Sequence, residues 1–105
     1  MKSNDFSRSD RLSDQIRTEI SFILKSQVKD PRLQGLTITK VQISRDLKKA
    51  YVLIYPINSF NDSDENQIQE GLDKAKGFIR SSLGKRIKIK RLPELIFEQD
   101  LNPII

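Results

Sequence analysis

Gly71-Leu72-Asp73-Lys74-Ala75-Lys76-Gly77-Phe78-Ile79-Arg80-Ser81-Ser82-Leu83-Gly84-Lys85-Arg86-Ile87-Lys88-Ile89-Lys90-Arg91 is the most basic segment of the chain. From Lys74 to Arg91 it holds eight Lys or Arg and no Asp or Glu, against a net charge of +5 for the whole protein. Its apolar residues keep a helical beat: Ile68, Leu72 and Ala75 recur at i, i+4 and i+7, then Ile79, Leu83 and Ile87 every four. Gly77 stands between the two sets, and a glycine inside a helix costs about 1 kcal/mol relative to alanine. The pattern predicts one helix ending near Lys76, a bend at Ala75-Lys76-Gly77, and a second helix beyond it. A bend of that kind frees the backbone N–H groups of the new helix's first turn, which attract anions. Lys76 and Arg80 flank it, so the bend is a candidate phosphate site.

Working towards the N-terminus, Asn58 to Asp64 is a polar loop in which Ser63 is the expected helix cap. Lys49 to Pro56 reads as a strand with Ala50, Val52 and Ile54 on one face and Tyr51, Leu53 and Tyr55 on the other, hence a central strand. Arg45 to Lys48 reads as a hairpin turn, braced by the Asp46 carboxylate accepting from nearby N–H groups. Leu36 to Ser44 forms the preceding strand, and its alternation slips near Thr39, which predicts a bulge. Lys29-Asp30-Pro31-Arg32-Leu33-Gln34-Gly35 ends a helix, since Pro31 disfavours helix at Asp30. Asp30 and Arg32 are expected to form a local salt bridge, with RNA contact as the alternative for Arg32. That helix starts at Ser9 or Asp10 and lines Leu12, Ile16, Ile20, Ile23 and Leu24 on one face. Residues 1–8 are polar and expected to be disordered. Beyond the basic segment, Leu92-Pro93-Glu94 turns the chain into a short strand, Leu95 to Gln99, and the tail from Asp100 is left unplaced. Helix, strand, strand, helix, kinked helix, strand is an α+β order: a three-stranded sheet with helices on one face.

Composition narrows the chemistry. A chain of 105 residues suits one domain. With no Cys and no His, disulfides, thiolate metal sites and the commonest general base are absent. No phosphate-binding glycine loop is present, so no cofactor is expected. No run approaches the ~18 apolar residues of a membrane span, and no apolar leader is visible, so a cytoplasmic protein away from membranes is expected. Asp62, Asp64 and Glu65 lie close together as acid/base or metal carboxylates do, but at a helix start such residues serve the helix dipole. Clustered positive charge points instead to a polyanion, nucleic acid before membrane. Two other readings stand beside it: a protein-interaction module that docks an acidic partner on the basic face or a partner on the Tyr51/Tyr55 face, and an enzyme with the carboxylate site.

The order of elements resembles the type II KH domain, although the GXXG loop of that fold is missing and Ala75-Lys76-Gly77 stands in its place. Three stretches together resemble the ribosome-binding factor A family of bacterial small-subunit assembly factors. They are Val28 to Leu33, then Val41 to Leu47 leading into Ala50-Tyr51-Val52, then Ala75 to Arg80 through Leu83 to Arg86 with Pro93-Glu94-Leu95. The resemblance covers about residues 8 to 100. It implies a single KH-like RNA-binding domain over residues 1–105, ordered over about 8–100 with flexible termini, in which an Ala-x-Gly kink replaces GXXG. It also implies binding to the 30S precursor and 16S ribosomal RNA late in maturation, a part in cold adaptation and rRNA processing, no enzymatic activity, and release by a small-subunit-dependent GTPase; separately from the resemblance, a monomer is expected. Some relatives carry a longer polar tail than this chain. The RNA-binding candidates are Ala75 and Gly77 at the kink, Lys76, Arg80, Lys85, Arg86, Lys88 and Lys90 near it, Arg45 and Lys48 on the hairpin, and Arg8 and Arg11 on the first helix. Apart from the kink, they rest on charge and placement.

Overall fold

A computed structural model describes residues 8–56 and 65–104. The elements run α1 (Arg8–Ser26), a short 3-10 turn (Pro31–Leu33), β1 (Leu36–Ile43), β2 (Lys49–Pro56), α2 (Glu65–Arg86) and β3 (Glu94–Gln99). β2 is central: β1 pairs with it antiparallel from Leu36↔Pro56 to Ile43↔Ala50, and β3 pairs with it parallel from Lys49↔Glu94 to Ile54↔Gln99. The expected α+β architecture is therefore present. The loop over 58–64, the Ser63 cap and the N-terminal seven residues lie outside the described residues.

The core follows from the apolar periodicities. Ile16, Ile20 and Ile23 of α1 are fully buried against Ala50, Val52 and Ile54 of the sheet and Leu72, Ile79 and Leu83 of α2, in one cluster. On β2 the opposite face, Tyr51, Leu53 and Tyr55, is half-buried, as a central strand with one uncovered face requires. Pairing shifts between Ile38 and Lys40, which places the bulge at Thr39 as the slip in alternation predicts. The Thr39 hydroxyl donates to the Asp100 carboxylate at 2.6 Å, and the Asp100 N–H donates to the Ile54 carbonyl at 2.8 Å. The start of the tail thus clasps the far end of the sheet, a placement that sequence alone left open.

The break at Ala75-Lys76-Gly77 is corrected by the structure. α2 is helical without interruption from Glu65 to Arg86, so no second helix begins at Gly77. The N–H groups expected to bind an anion there are taken up within the helix. Ile68, Leu72, partly buried Ala75, Ile79 and Leu83 form a single stripe on the core. Burying Ile79 and Leu83 is worth about 1.5–3 kcal/mol each, which outweighs the ~1 kcal/mol that a helical glycine costs. Gly77 itself is exposed, and a Cβ built on it meets nothing within 4 Å. Gly77→Ala is therefore expected to stabilise the protein by about 0.5–1 kcal/mol, read as a higher urea midpoint at unchanged slope.

The turn after α1 is a clamp. The Arg32 N–H donates to Asp30 Oδ1 at 2.9 Å, its guanidinium donates to both Asp30 oxygens at 3.1 and 2.7 Å, and it reaches Glu70 of α2 at 3.2 Å. The expected local salt bridge forms, and these Arg32 hydrogen bonds hold the Asp30 carboxyl below the usual carboxylate range. Gly35 then turns the chain into β1 with φ 81°, a left-handed conformation that a side chain would strain.

Candidate nucleic-acid interface

Three segments far apart in sequence meet at one end of the molecule. The start of α1 supplies Arg8 and Arg11, the β1–β2 turn supplies Lys48, and the stretch after α2 supplies Lys90 and Arg91. These five cations line a groove of about 460 Å³. Among the described residues none of the five makes an ion pair or a side-chain hydrogen bond, and Arg8, Arg11, Lys48, Lys90 and Arg91 are all exposed. Leu12, Leu47 and Ile89 also line the groove, together with Gln15 and Asp46.

The β1–β2 turn is built to hold its shape. The Ser44 hydroxyl donates to Asp46 Oδ1 at 2.7 Å, and the Lys48 N–H donates to the same oxygen at 3.0 Å. The Ser44 hydroxyl and then the Lys48 N–H hold the Asp46 carboxyl below its ordinary range, so the one acid of the groove is occupied by its own turn. The expected bracing by Asp46 is present. Leu47 sits at φ 62°, left-handed backbone that a non-glycine residue adopts at a cost of about 1–2 kcal/mol. This conformation sets Leu47 into the groove lining, half-buried.

The remaining candidates divide by what the fold asks of them. Arg80 donates to the carbonyls of Pro93 at 2.6 Å and Leu92 at 3.1 Å, pinning the turn into β3 against α2. Arg86 pairs with Glu19 of α1, and its guanidinium lies 4.3 Å from the centroid of the Phe22 ring. Both arginines remain exposed, but their geometry is set by these partners. Lys85 and Lys88 are exposed at and just beyond the end of α2, and Arg45 is exposed on the turn without lining the groove. Ala75 and Lys76 are half-buried in the middle of α2. Ala75 lines a shallow depression of about 390 Å³ with Val28, Lys29, Lys74 and Phe78, the last half-exposed. Nothing of Ala75-Lys76-Gly77 lines the basic groove; Gly77 lies about 13 Å along α2 from Arg86.

Sequence reasoning passed over Arg91 and the apolar lining. Ile89, 36% exposed between two lysines, carried the available signal, an apolar residue left on a basic surface. Of the carboxylate alternative, Asp62 and Asp64 lie outside the described residues, and Glu65 is exposed at the start of α2. Among the described residues no group of three or more His, Cys, Asp or Glu gathers as metal ligands do, and no helix is long and apolar enough to cross a membrane.

Comparison with known proteins gives the family and the fold. The family model described as ribosome-binding factor A matches residues 8–103. Ribosome-binding factor A of Latilactobacillus sakei is 49% identical over 90 residues, 86% of this chain and 75% of that protein. The crystal structure of ribosome-binding factor A from Thermus thermophilus superposes with a TM-score of 0.76 at 24% identity, over 89% of this chain and 97% of that one. Coordinates of the Thermus thermophilus factor fitted into a cryo-electron microscopy map of its 30S complex match with a TM-score of 0.69 at 25% identity, over 84% and 90% of the two chains. The fold is that KH-like fold, and the chain belongs to the ribosome-binding factor A family.

Proposed function

We propose that this protein is a non-catalytic assembly factor that binds the 30S precursor through 16S ribosomal RNA and assists late maturation. One observation carries the reading: Arg8, Arg11, Lys48, Lys90 and Arg91 converge from three segments on one groove, with no acidic side chain paired to any of them among the described residues. Five cations against a single acid, Asp46, at one end of a small domain favour a polyanion. Family membership and the fitted 30S complex of the Thermus factor support the small subunit as its source.

Lys and Arg neutralise phosphates and release counterions, so affinity falls steeply with salt. Structured RNA is recognised largely by backbone and shape. A binder that prefers one precursor conformation shifts the subunit's population toward it, which is how a protein without chemistry assists 16S processing. Action as a monomer, in the cytoplasm, with a part in cold adaptation and release by a small-subunit-dependent GTPase, belongs to the same reading. Co-sedimentation with 30S, 50S and 70S particles over a salt series tests it. Selective pelleting with 30S that is lost as salt rises is expected; equal pelleting with all three, or with none, overturns the proposal.

A further inference from the structure

We infer that the basic groove seats an unpaired nucleotide, with its base against Leu12, Leu47 and Ile89 and its flanking phosphates on the surrounding cations. The inference rests on the RNA-binding reading above and adds which form of RNA the groove takes. A purely electrostatic contact with duplex backbone needs cations alone. This groove has cations at its rim, Arg8, Arg11, Lys48, Lys90 and Arg91, and an apolar component that such a contact does not use. Leu47 reaches the lining from a left-handed backbone held by the Ser44 and Asp46 hydrogen bonds. Ile89 is 36% exposed there, although Ile87, two residues earlier, is buried.

The volume, about 460 Å³, falls in the range of roughly 300–1,000 Å³ that encloses small ligands. In a duplex the bases are stacked and their edges paired, so an apolar lining finds no base to cover. In loops, bulges and ends the base is splayed out and can be covered. Gln15, exposed at the same groove and without a hydrogen-bond partner among the described residues, offers both a donor and an acceptor to a base edge. Asp46 accepts hydrogen bonds from its own turn and keeps its charge beside Lys48, so five cations face one acid and the groove stays net positive for phosphate.

The test uses the full chain and fluorescence anisotropy. The probes are a labelled single-stranded RNA of about ten nucleotides, within the span of known single-strand sites, and a perfectly paired RNA hairpin. Two single variants separate the terms: Ile89→Asn removes apolar surface and keeps all charge, and Lys90→Gln does the reverse. Both positions are exposed, so thermal melts should match the parent. The single strand is expected to bind more tightly than the hairpin. Ile89→Asn should weaken single-strand binding about fivefold with an unchanged salt slope, the loss expected when roughly 40 Å² of apolar contact is forfeited. Lys90→Gln should lower the salt slope by about one. Equal binding of hairpin and single strand, or full affinity in a correctly melting Ile89→Asn, overturns the inference. Should Ile89→Asn melt early, Gln15→Ala, which removes the base-edge partner from an exposed helix position, takes its place and is held to the same loss of single-strand affinity. If the parent protein fails to pellet with 30S while Ile89→Asn still costs single-strand affinity, the assembly reading fails and this one stands. If the parent pellets selectively and Ile89→Asn changes nothing, the reverse holds.

Discussion

Replacing Arg8, Arg11, Lys48 and Lys90 together by Gln should lower affinity for the 30S subunit by at least about a hundredfold at moderate salt and flatten its salt dependence by about three units of slope. Each cation that neutralises a phosphate contributes roughly 0.7–0.9 to that slope, and four are removed. A hundredfold corresponds to about 2.7 kcal/mol, under 1 kcal/mol for each contact, which is modest for an ion held against phosphate. The melting midpoint should stay within a degree or two of the parent's, because none of the four has a side-chain partner among the described residues and surface changes of this kind fall within about 0.5 kcal/mol. Arg80 and Arg86 are poor choices for the same experiment. Arg80 holds the Leu92 and Pro93 carbonyls, and Arg86 ties α2 to Glu19 and Phe22 of α1, so binding lost there reports on the fold as much as on RNA. Co-sedimentation with 30S over a salt series, beside a thermal melt, checks the expectation. Unchanged affinity at constant melting temperature would remove the groove from the interface.

How much of this was legible in the sequence depended on whether the cause was local. The α1 stripe, the central position of β2 and the bulge at Thr39 were readable, because burial on a helix or strand imposes a period that the residues must obey. The Asp30–Arg32 pair and the bracing of the turn by Asp46 were readable because both partners lie within two residues of each other. Gly77 misled because its propensity cost is a local quantity, whereas the stripe from Ile68 through Leu83 is a tertiary one and is larger. Reading Ala75 as the end of one apolar set also hid that Leu72, Ala75 and Ile79 are i, i+3 and i+7 of one stripe.

The site shows the same division. The cations were visible as composition, but nothing local says that Arg8, Lys48 and Lys90 share a groove while Arg45 does not. That convergence is produced by α1 packing across the sheet and by the turn that returns the chain after α2. Nor could sequence foresee that Arg80 is used on carbonyls more than ten residues away, or Arg86 on an acid of the other helix. Arginine serves both purposes, since its planar fork suits backbone and carboxylate oxygens as readily as phosphate.

Gly71→Val should destabilise the protein by about 1–3 kcal/mol, although valine is the better helix former by intrinsic propensity. Gly71 is buried in α2 where the Pro31–Leu33 turn crosses it. A Cβ there would stand 3.1 Å from Leu33 Cδ2 and 3.3 Å from Asp30 Oδ2, before either valine methyl is counted. Neither neighbour yields cheaply. Leu33 is 4% exposed in the core. The Asp30 carboxylate is fixed by three hydrogen bonds from Arg32, and that guanidinium also reaches Glu70, the residue beside Gly71. Relieving the overlap therefore means lifting the turn off α2 or breaking the clamp. Gly77, six residues on in the same helix, faces open space, and there a side chain should help. Residue type and helix are shared between the two positions, so the opposite signs isolate what lies across the Cβ. Urea unfolding of Gly71→Val and Gly77→Ala beside the parent decides it: the first midpoint should fall and the second rise. A Gly71→Val midpoint equal to the parent's would mean that the turn does not pack on α2 as described, and with it that the Lys29-to-Gly35 motif is not held by Arg32.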